Sequence, residues 1–278
     1  MINEFQRIFP DSKDIQTTFC PYRICPIGAH IDHQYGVITG FAIDKGIHIA
    51  FCPNEGTTVE IASMNFDGKK MFDITDIPAP CGDWADYLRG AAYALVKAKK
   101  VKRGIKALIR GSLPIGGLSS SAAVILAFIS ALCTANNVHL TQSEFVYTAQ
   151  KAENEYVGVN CGKLDQSCEV YCKKDHLLYL DNKDDSFELI ARNPNMKPFE
   201  IAVFFSGVER KLVGSAFNAR VDELKAASYA LKGFAGIEYG KFSDSRLRDV
   251  PIEIFEKYKD KLPENWRKRA THYYTEFE

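Results

Sequence analysis

An α+β fold of two lobes is what the chain predicts, and three observations carry that expectation. Stretches rich in β-branched and aromatic residues cluster early, helical patterns follow, and the two do not alternate as a doubly wound sheet requires. A glycine–serine segment, 113–123, joins a short apolar run to a long one in the order strand, loop, helix. The 278 residues, 46% hydrophobic and 25% charged, suit one large or two modest domains and exclude disorder as the main state.

The early strands are expected at 17–24, 37–51, 57–64 and 70–74. A helix is expected at 84–97, where Leu88, Ala91, Ala92 and Leu95 recur at helical spacing. A strand at 105–110 then enters the glycine–serine loop, and the apolar run beyond it reads as a helix. Thr141 and Glu144 have the spacing of a capping box. Phe145, Val146, Ala149, Ala152 and Tyr156 follow on one side, with Glu153 nearer that side than Glu155. Short strands at 176–180, 187–191 and 200–206 precede helical stretches to the end.

Thirty-five basic residues balance thirty-five acidic ones, so no net field draws the chain to nucleic acid or anionic lipid, and any polyanion it binds must be small. The basic run 97–106 reads as the solvated end of a helix. The first ten residues lack the continuous apolar core of a secretion signal, and the longest apolar run, 122–133, is too short to span a bilayer. A cytoplasmic protein is expected. Eight cysteines without a CxxC pair suggest reduced, mostly buried thiols.

In the loop, Gly116 and Gly117 permit backbone conformations other residues resist and let the main chain approach a ligand. Leu118 leads to Ser119, Ser120 and Ser121, whose hydroxyls lie beside the free amides of a helix N-terminus, where an anion is favoured. The Walker pattern is absent, because Gly117 and Leu118 stand where its lysine and its Ser or Thr belong. On the loop alone, a phosphate cradle and a serine-capped helix after a tight turn are both open.

The segment 21–36 contains Arg23, Gly28, Ala29, His30, Asp32 and His33. His30, Asp32 and His33 on one turn make a poor metal set, since three close residues rarely supply all the ligands. A clamp for sugar hydroxyls, with carboxylate accepting and imidazole donating or accepting, suits them better. Further on, Glu153, Gly162 and Asp165 stand in the segments 151–153 and 161–166; in isolation each acid reads as a solvated charge or a helix cap.

Together these motifs resemble the GHMP kinases, small-molecule kinases that include galactokinase, homoserine kinase and mevalonate kinase. The loop is similar to the family's second motif, and 21–36, ending in Phe41-Ala-Ile43, to the galactokinase signature. The segments 151–153, 161–166, 84–87, 206–210 and 214–220 also resemble galactokinase, so the likeness covers nearly the whole chain. It implies a ribosomal S5 domain 2-like lobe over 1–190 and the start of a C-terminal lobe over 191–278. It also implies ATP phosphates wrapped by Gly116, Gly117, Leu118, Ser119, Ser120 and Ser121. Mg2+ would be held by Ser121 and Glu153, with Ser120 a further candidate, and adenine would lie near Trp84. A Trp on an amphipathic helix is more often simple core. Asp165 would accept the proton of a sugar hydroxyl, Arg23 would pair with Asp165, and Ala29, His30, Asp32, Gly162, Asp165 and Phe217 would line the sugar.

Two departures bear on function. The family's third, glycine-rich motif has no match, and 267–278 resembles an interior galactokinase helix, so the chain is expected to lack a C-terminal part. That leaves a non-catalytic sugar sensor or interaction protein as the alternative to an enzyme. The second departure is Ala29 where galactokinases carry Glu, with Phe217 where they carry Tyr. A Glu facing the C6 carboxylate of a uronic acid would set like charges together in a partly desolvated pocket, and Ala removes that repulsion. The pattern is similar to that of galacturonic acid kinases, with galactose as the alternative sugar.

Overall fold

The computed structural model describes residues 1–98, 100–113, 117–205, 207 and 216–277. Pro114, Ile115 and Gly116 of the glycine–serine loop, and Ser206 and 208–215 of the later sugar-site segment, lie outside them.

The fold is α+β. Among the described residues a seven-stranded mixed sheet runs β4-β3-β5-β2-β6-β7, with β1 paired to β2. These strands are β1 (Gln16–Ile24), β2 (Val37–Pro53), β3 (Thr58–Ser63), β4 (Lys70–Asp73), β5 (Ile105–Gly111), β6 (His176–Asp181) and β7 (Phe187–Ala191). The long strand β2 organises them. Its first residues, Val37 to Gly40, pair with β6, and its last, Ile47 to Pro53, pair with β5, while β1 runs antiparallel along most of its length. Only β3 and β5 are parallel, because the crossover helix α2 (Asp86–Lys97) lies between them.

Helix α3 (Ser120–Ala135) is apolar around nearly its whole circumference, as a helix buried against both sheet and helices must be. It and α2 bury Leu88, Ala91, Leu95, Ile125, Phe128 and Leu132 in one core with Ile49, Phe51, Ile61 and Ala107 of the sheet. A second core joins Ile31, Ile38, Leu164 and Leu178 to residues of α6 (Ala216–Ala235), α7 (Ile252–Tyr258) and α8 (Glu264–Phe277). A helix not expected from the sequence, α1 (Ile2–Ile8), seals a smaller cluster through Phe5 and Phe9. No helix among the described residues is long and apolar enough to cross a membrane.

Two expectations change. The strand expected at 200–206 does not form over 200–205. Ile201, Val203, Phe204 and Phe205 are exposed there, and β-branched residues without a neighbouring strand make no ladder. The helix of the capping box is also not one regular helix. α4 (Gln142–Lys151) begins with both bonds of the box, Glu144 N to Thr141 Oγ1 at 3.2 Å and Thr141 N to Glu144 Oε2 at 2.8 Å. At Ala152–Val157 it widens into a π turn, closed by Gly158 N donating to the Glu153 carbonyl at 2.8 Å.

Because the box satisfies two amides at the head of α4, Thr141→Ala should lower the unfolding free energy by about 1 kcal/mol. Denaturant unfolding of the two proteins measures it, and an unchanged midpoint would show the cap to be dispensable.

Candidate active site

Five elements meet at the site: the end of β1, the turn after it, the glycine–serine loop, the π turn and the first turn of α5 (Leu164–Tyr171). Arg23 leaves β1 beside a register shift between Pro21 and Arg23. Such a bulge re-aims a side chain. Its Nε donates to Asp165 Oδ1 at 2.8 Å and its Nη2 lies 2.6 Å from the same oxygen. Its Nη1 reaches the Gly117 carbonyl at 3.4 Å. One guanidinium therefore ties α5 to the loop.

Gly117 lies in the left-handed region, φ +70°, with open space where a Cβ would stand. Ser119 occupies the N-cap of α3 but is itself left-handed, φ 64°, and makes no capping bond. Its buried Oγ has no partner among the described residues. The serine-cap reading of the loop fails for Ser119, which leaves a hydroxyl beside a helix N-terminus. Ser120 and Ser121 begin α3, and Leu118 packs on the first core.

Ser121 and Glu153 are in contact. The Glu153 carboxylate, 2% exposed, accepts from Ser121, from Cys161 Sγ at 3.3 Å and from Gln166 Nε2 at 2.5 Å. Burial, with the charge of Asp165, nonetheless pushes its carboxyl up to about 7. Glu155, two residues on, is exposed. A buried carboxylate and a hydroxyl, with Ser119 Oγ and Gln166 Oε1 buried and unpartnered nearby in sequence, form the oxygen-rich set that suits Mg2+ and phosphate. Ser121 and Glu153 would hold such an ion, and the serine hydroxyls would donate to phosphate oxygens.

The turn after β1 is tied to α5. Asp32 Oδ2 accepts from Leu164 N at 3.1 Å. Gly162 is packed so closely that an added Cβ would overlap the Asp32 carboxylate and lie 2.6 Å from His33 N. No other residue fits there without moving Asp32. His33, buried and with its imidazole held below the usual range by burial, meets the ring of Phe217 edge-on at 6.0 Å. His30 is exposed with φ 67°, and Ala29 is half-buried. Arg23, Gly117, Asp165 and Asp32 are thus linked by bonds, Gly162 by close packing. Trp84 is not brought to the loop by any described contact. It stacks on Phe66 at 5.8 Å and packs on the first core.

Sequence reasoning passed over three neighbours of the site. Gln166 holds Glu153 and follows Asp165 directly. Cys161, whose thiol is pushed up by burial and by Glu153, bonds the same carboxylate. Glu169 stands one turn beyond Asp165 on α5, and its spacing of four was the available signal. It is buried, both carboxyl oxygens lack partners among the described residues, and burial pushes it well above the carboxylate range.

Known proteins resemble this chain in sequence and in fold. Residues 86–173 match the GHMP kinases N terminal domain. The chain is 35% identical over 287 residues to a galacturonokinase of Arabidopsis thaliana, covering 96% of this chain and 67% of that protein. A galactokinase of Roseiflexus sp. is 33% identical, covering 92% and 63%. The chain therefore spans about two thirds of the length of these relatives. Among solved structures, the Lactococcus lactis galactokinase complexed with galactose superposes with a TM-score of 0.85 at 28% identity, covering 99% of this chain and 70% of that one. The Methanococcus jannaschii mevalonate kinase, at 17% identity and a TM-score of 0.56, shares the fold.

The Glu153 carboxyl generates a pH prediction for the metal-free protein. Its value rises from 4.5 to about 7 on folding, so the stability it contributes is present below 4.5 and lost as pH rises through about 7. Between those limits the unfolding free energy of the wild type should fall relative to that of Glu153→Gln. A constant difference, measured by denaturant unfolding with chelator, would place the titration elsewhere.

Proposed function

We propose a function from one premise: this chain belongs to the GHMP kinase family. It is a sugar kinase that transfers the γ-phosphoryl group of ATP to the anomeric hydroxyl of galacturonic acid, with galactose as the competing substrate. The observation that supports this most is the Arg23–Asp165 pair standing against the glycine–serine loop, because a carboxylate and a cation beside such a loop suit proton acceptance and charge stabilisation in phosphoryl transfer.

In this reading Asp165 accepts the proton of the sugar hydroxyl as the oxygen bonds to the γ-phosphorus. The bond from that phosphorus to the β–γ bridging oxygen breaks and ADP leaves. Protonation of Asp165 removes the counter-charge of Arg23, whose guanidinium then serves the transferring phosphoryl group. The loop serines and the amides at the head of α3 receive the phosphates. Ser121 and Glu153 would hold a magnesium ion, which would supply neutralisation of the triphosphate charge. His30 and Asp32, with Gly162 admitting the close approach of backbone, orient the sugar hydroxyls. Trp84 keeps its candidacy near adenine on resemblance alone.

The uronate preference rests on Ala29 and Phe217, which remove a carboxylate and a hydroxyl from the wall facing C6. It is supported by the likeness to a galacturonokinase, while the likeness to galactokinases supports the alternative.

Two substitutions test the reading. Asp165→Asn, assayed with ATP, magnesium and each sugar, should lower turnover by roughly a hundredfold to ten-thousandfold; near-normal turnover would remove Asp165 from its role. Ala29→Glu should reduce kcat/KM for galacturonate more than for galactose, by roughly fivefold or more for a like-charge contact of about one kcal/mol or above. Equal losses, or a wild type that prefers galactose, would overturn the uronate assignment and leave the kinase assignment standing.

A further inference from the structure

The sugar-facing turn is held from outside the site, by the last described helix. Gly28 has φ +91°, and a Cβ there would meet Val37 O at 2.5 Å and the Ile38 Cα at 2.8 Å. Two residues on, His30 also lies in the left-handed region, φ 67°, a conformation that non-glycine residues seldom adopt. Such a backbone persists only where its surroundings over-determine it. The sheet supplies part of the restraint through Ile27, whose carbonyl accepts from Thr39 N at 2.9 Å and Thr39 Oγ1 at 3.0 Å. The next two residues are bonded by side chains of α8 instead. Glu276 Oε2 accepts from Gly28 N at 2.9 Å, and His272 Nε2 donates to the Ala29 carbonyl at 3.1 Å.

These two side chains are four residues apart and so lie on one face of α8. Its other side is anchored: Ala270, Tyr273 and Tyr274 are buried in the second core, and Tyr274 donates to the Val250 carbonyl at 2.9 Å. Arg269 adds a contact with Glu223 of α6 at 3.3 Å. A firmly placed helix therefore grips the turn immediately before His30 and Asp32. In turn Asp32 is bonded to the head of α5, one residue before Asp165.

We propose that Glu276 and His272 are positioning residues for sugar binding: from outside the pocket they fix the backbone of Gly28 and Ala29, and thereby the direction in which His30 and Asp32 are presented. The ligand named here rests on the sugar-kinase reading; the holding of the turn does not. The contact is with backbone atoms, so it governs where the sugar-side residues stand and leaves the chemistry of phosphoryl transfer to Asp165 and Arg23.

The test uses the full chain with Glu276→Ala, Glu276→Gln and His272→Ala. Two readouts are taken: amide hydrogen exchange at Gly28 without ligands, and KM for galacturonate, galactose and ATP. In Glu276→Ala the Gly28 amide should exchange faster. The KM of the preferred sugar should rise about tenfold or more, as for loss of a charge-assisted hydrogen bond, while KM for ATP and kcat change by less than about twofold. Glu276→Gln, which keeps an acceptor oxygen, should restore most of both effects, and His272→Ala should raise the sugar KM in the same direction. Unchanged exchange at Gly28 in Glu276→Ala, or a parallel rise in KM for ATP, would overturn the proposal. If the wild type phosphorylates neither sugar, the sugar-kinase reading fails, while exchange at Gly28 still decides whether α8 holds the turn.

Discussion

The ion pair between Arg23 and Asp165 is the contact on which the site is assembled. The two side chains are only 15% and 28% exposed, so both have given up much of their hydration. For a pair in that condition the Coulombic gain roughly offsets the desolvation cost, and apolar residues of similar volume would hold the same elements together as well or better. Stability does not account for it. Its geometry does, because one guanidinium spans the end of β1, the first turn of α5 and the carbonyl of Gly117. Removing either partner leaves the other charge half-buried and alone, and α5 and the glycine–serine loop lose their common reference.

The rest of the architecture keeps these short links in register. β2 is long enough to pair with β6 at one end and β5 at the other, so the turn before it and the loop after β5 are referred to a single strand. Close approaches do the remaining alignment. Ser112, at the exit of β5, bonds the Gly46 carbonyl through both its amide and its hydroxyl, and Gly162 lets the head of α5 come against Asp32. Each is a position where a larger residue or a lost hydroxyl would displace a functional group without touching a ligand.

What could be read in the sequence divides along the range of the interactions involved. The capping box, the apolar face of α2 and the strand runs before residue 192 are written in near neighbours along the chain, and they form as expected. The π turn was not legible, because one wide turn shifts the periodicity by less than one residue and leaves the apolar pattern unchanged. The missing strand at 200–205 has the composition of a strand but no partner strand among the described residues, and composition cannot supply a partner. The pairing of Arg23 with Asp165, 142 residues apart, came from family resemblance and not from any local rule. The grip of Glu276 on Gly28 spans 248 residues, and no motif marks it.

Burial, and then the charge of Asp165, sets Glu169 apart from an ordinary carboxylate, while Arg23 opposes the shift. Arg23 and Asp165 cancel, Glu153 is raised by burial toward neutrality, and Glu169 is raised further by burial without a single hydrogen-bond donor among the described residues. An ionised Glu169 would face Arg23 from one turn below Asp165 and compete for the same guanidinium. The upward shift by burial weakens Glu169 as a competitor, and the contact that Arg23 makes is with Asp165. The proposed reaction then needs no other cation to move: the proton that leaves the sugar neutralises Asp165, and the charge of Arg23 becomes available at the moment negative charge develops on the phosphoryl oxygens. In that reaction proton acceptance and charge stabilisation would be coupled through one shared bond, which is a physical reason for two such residues to meet beside the glycine–serine loop.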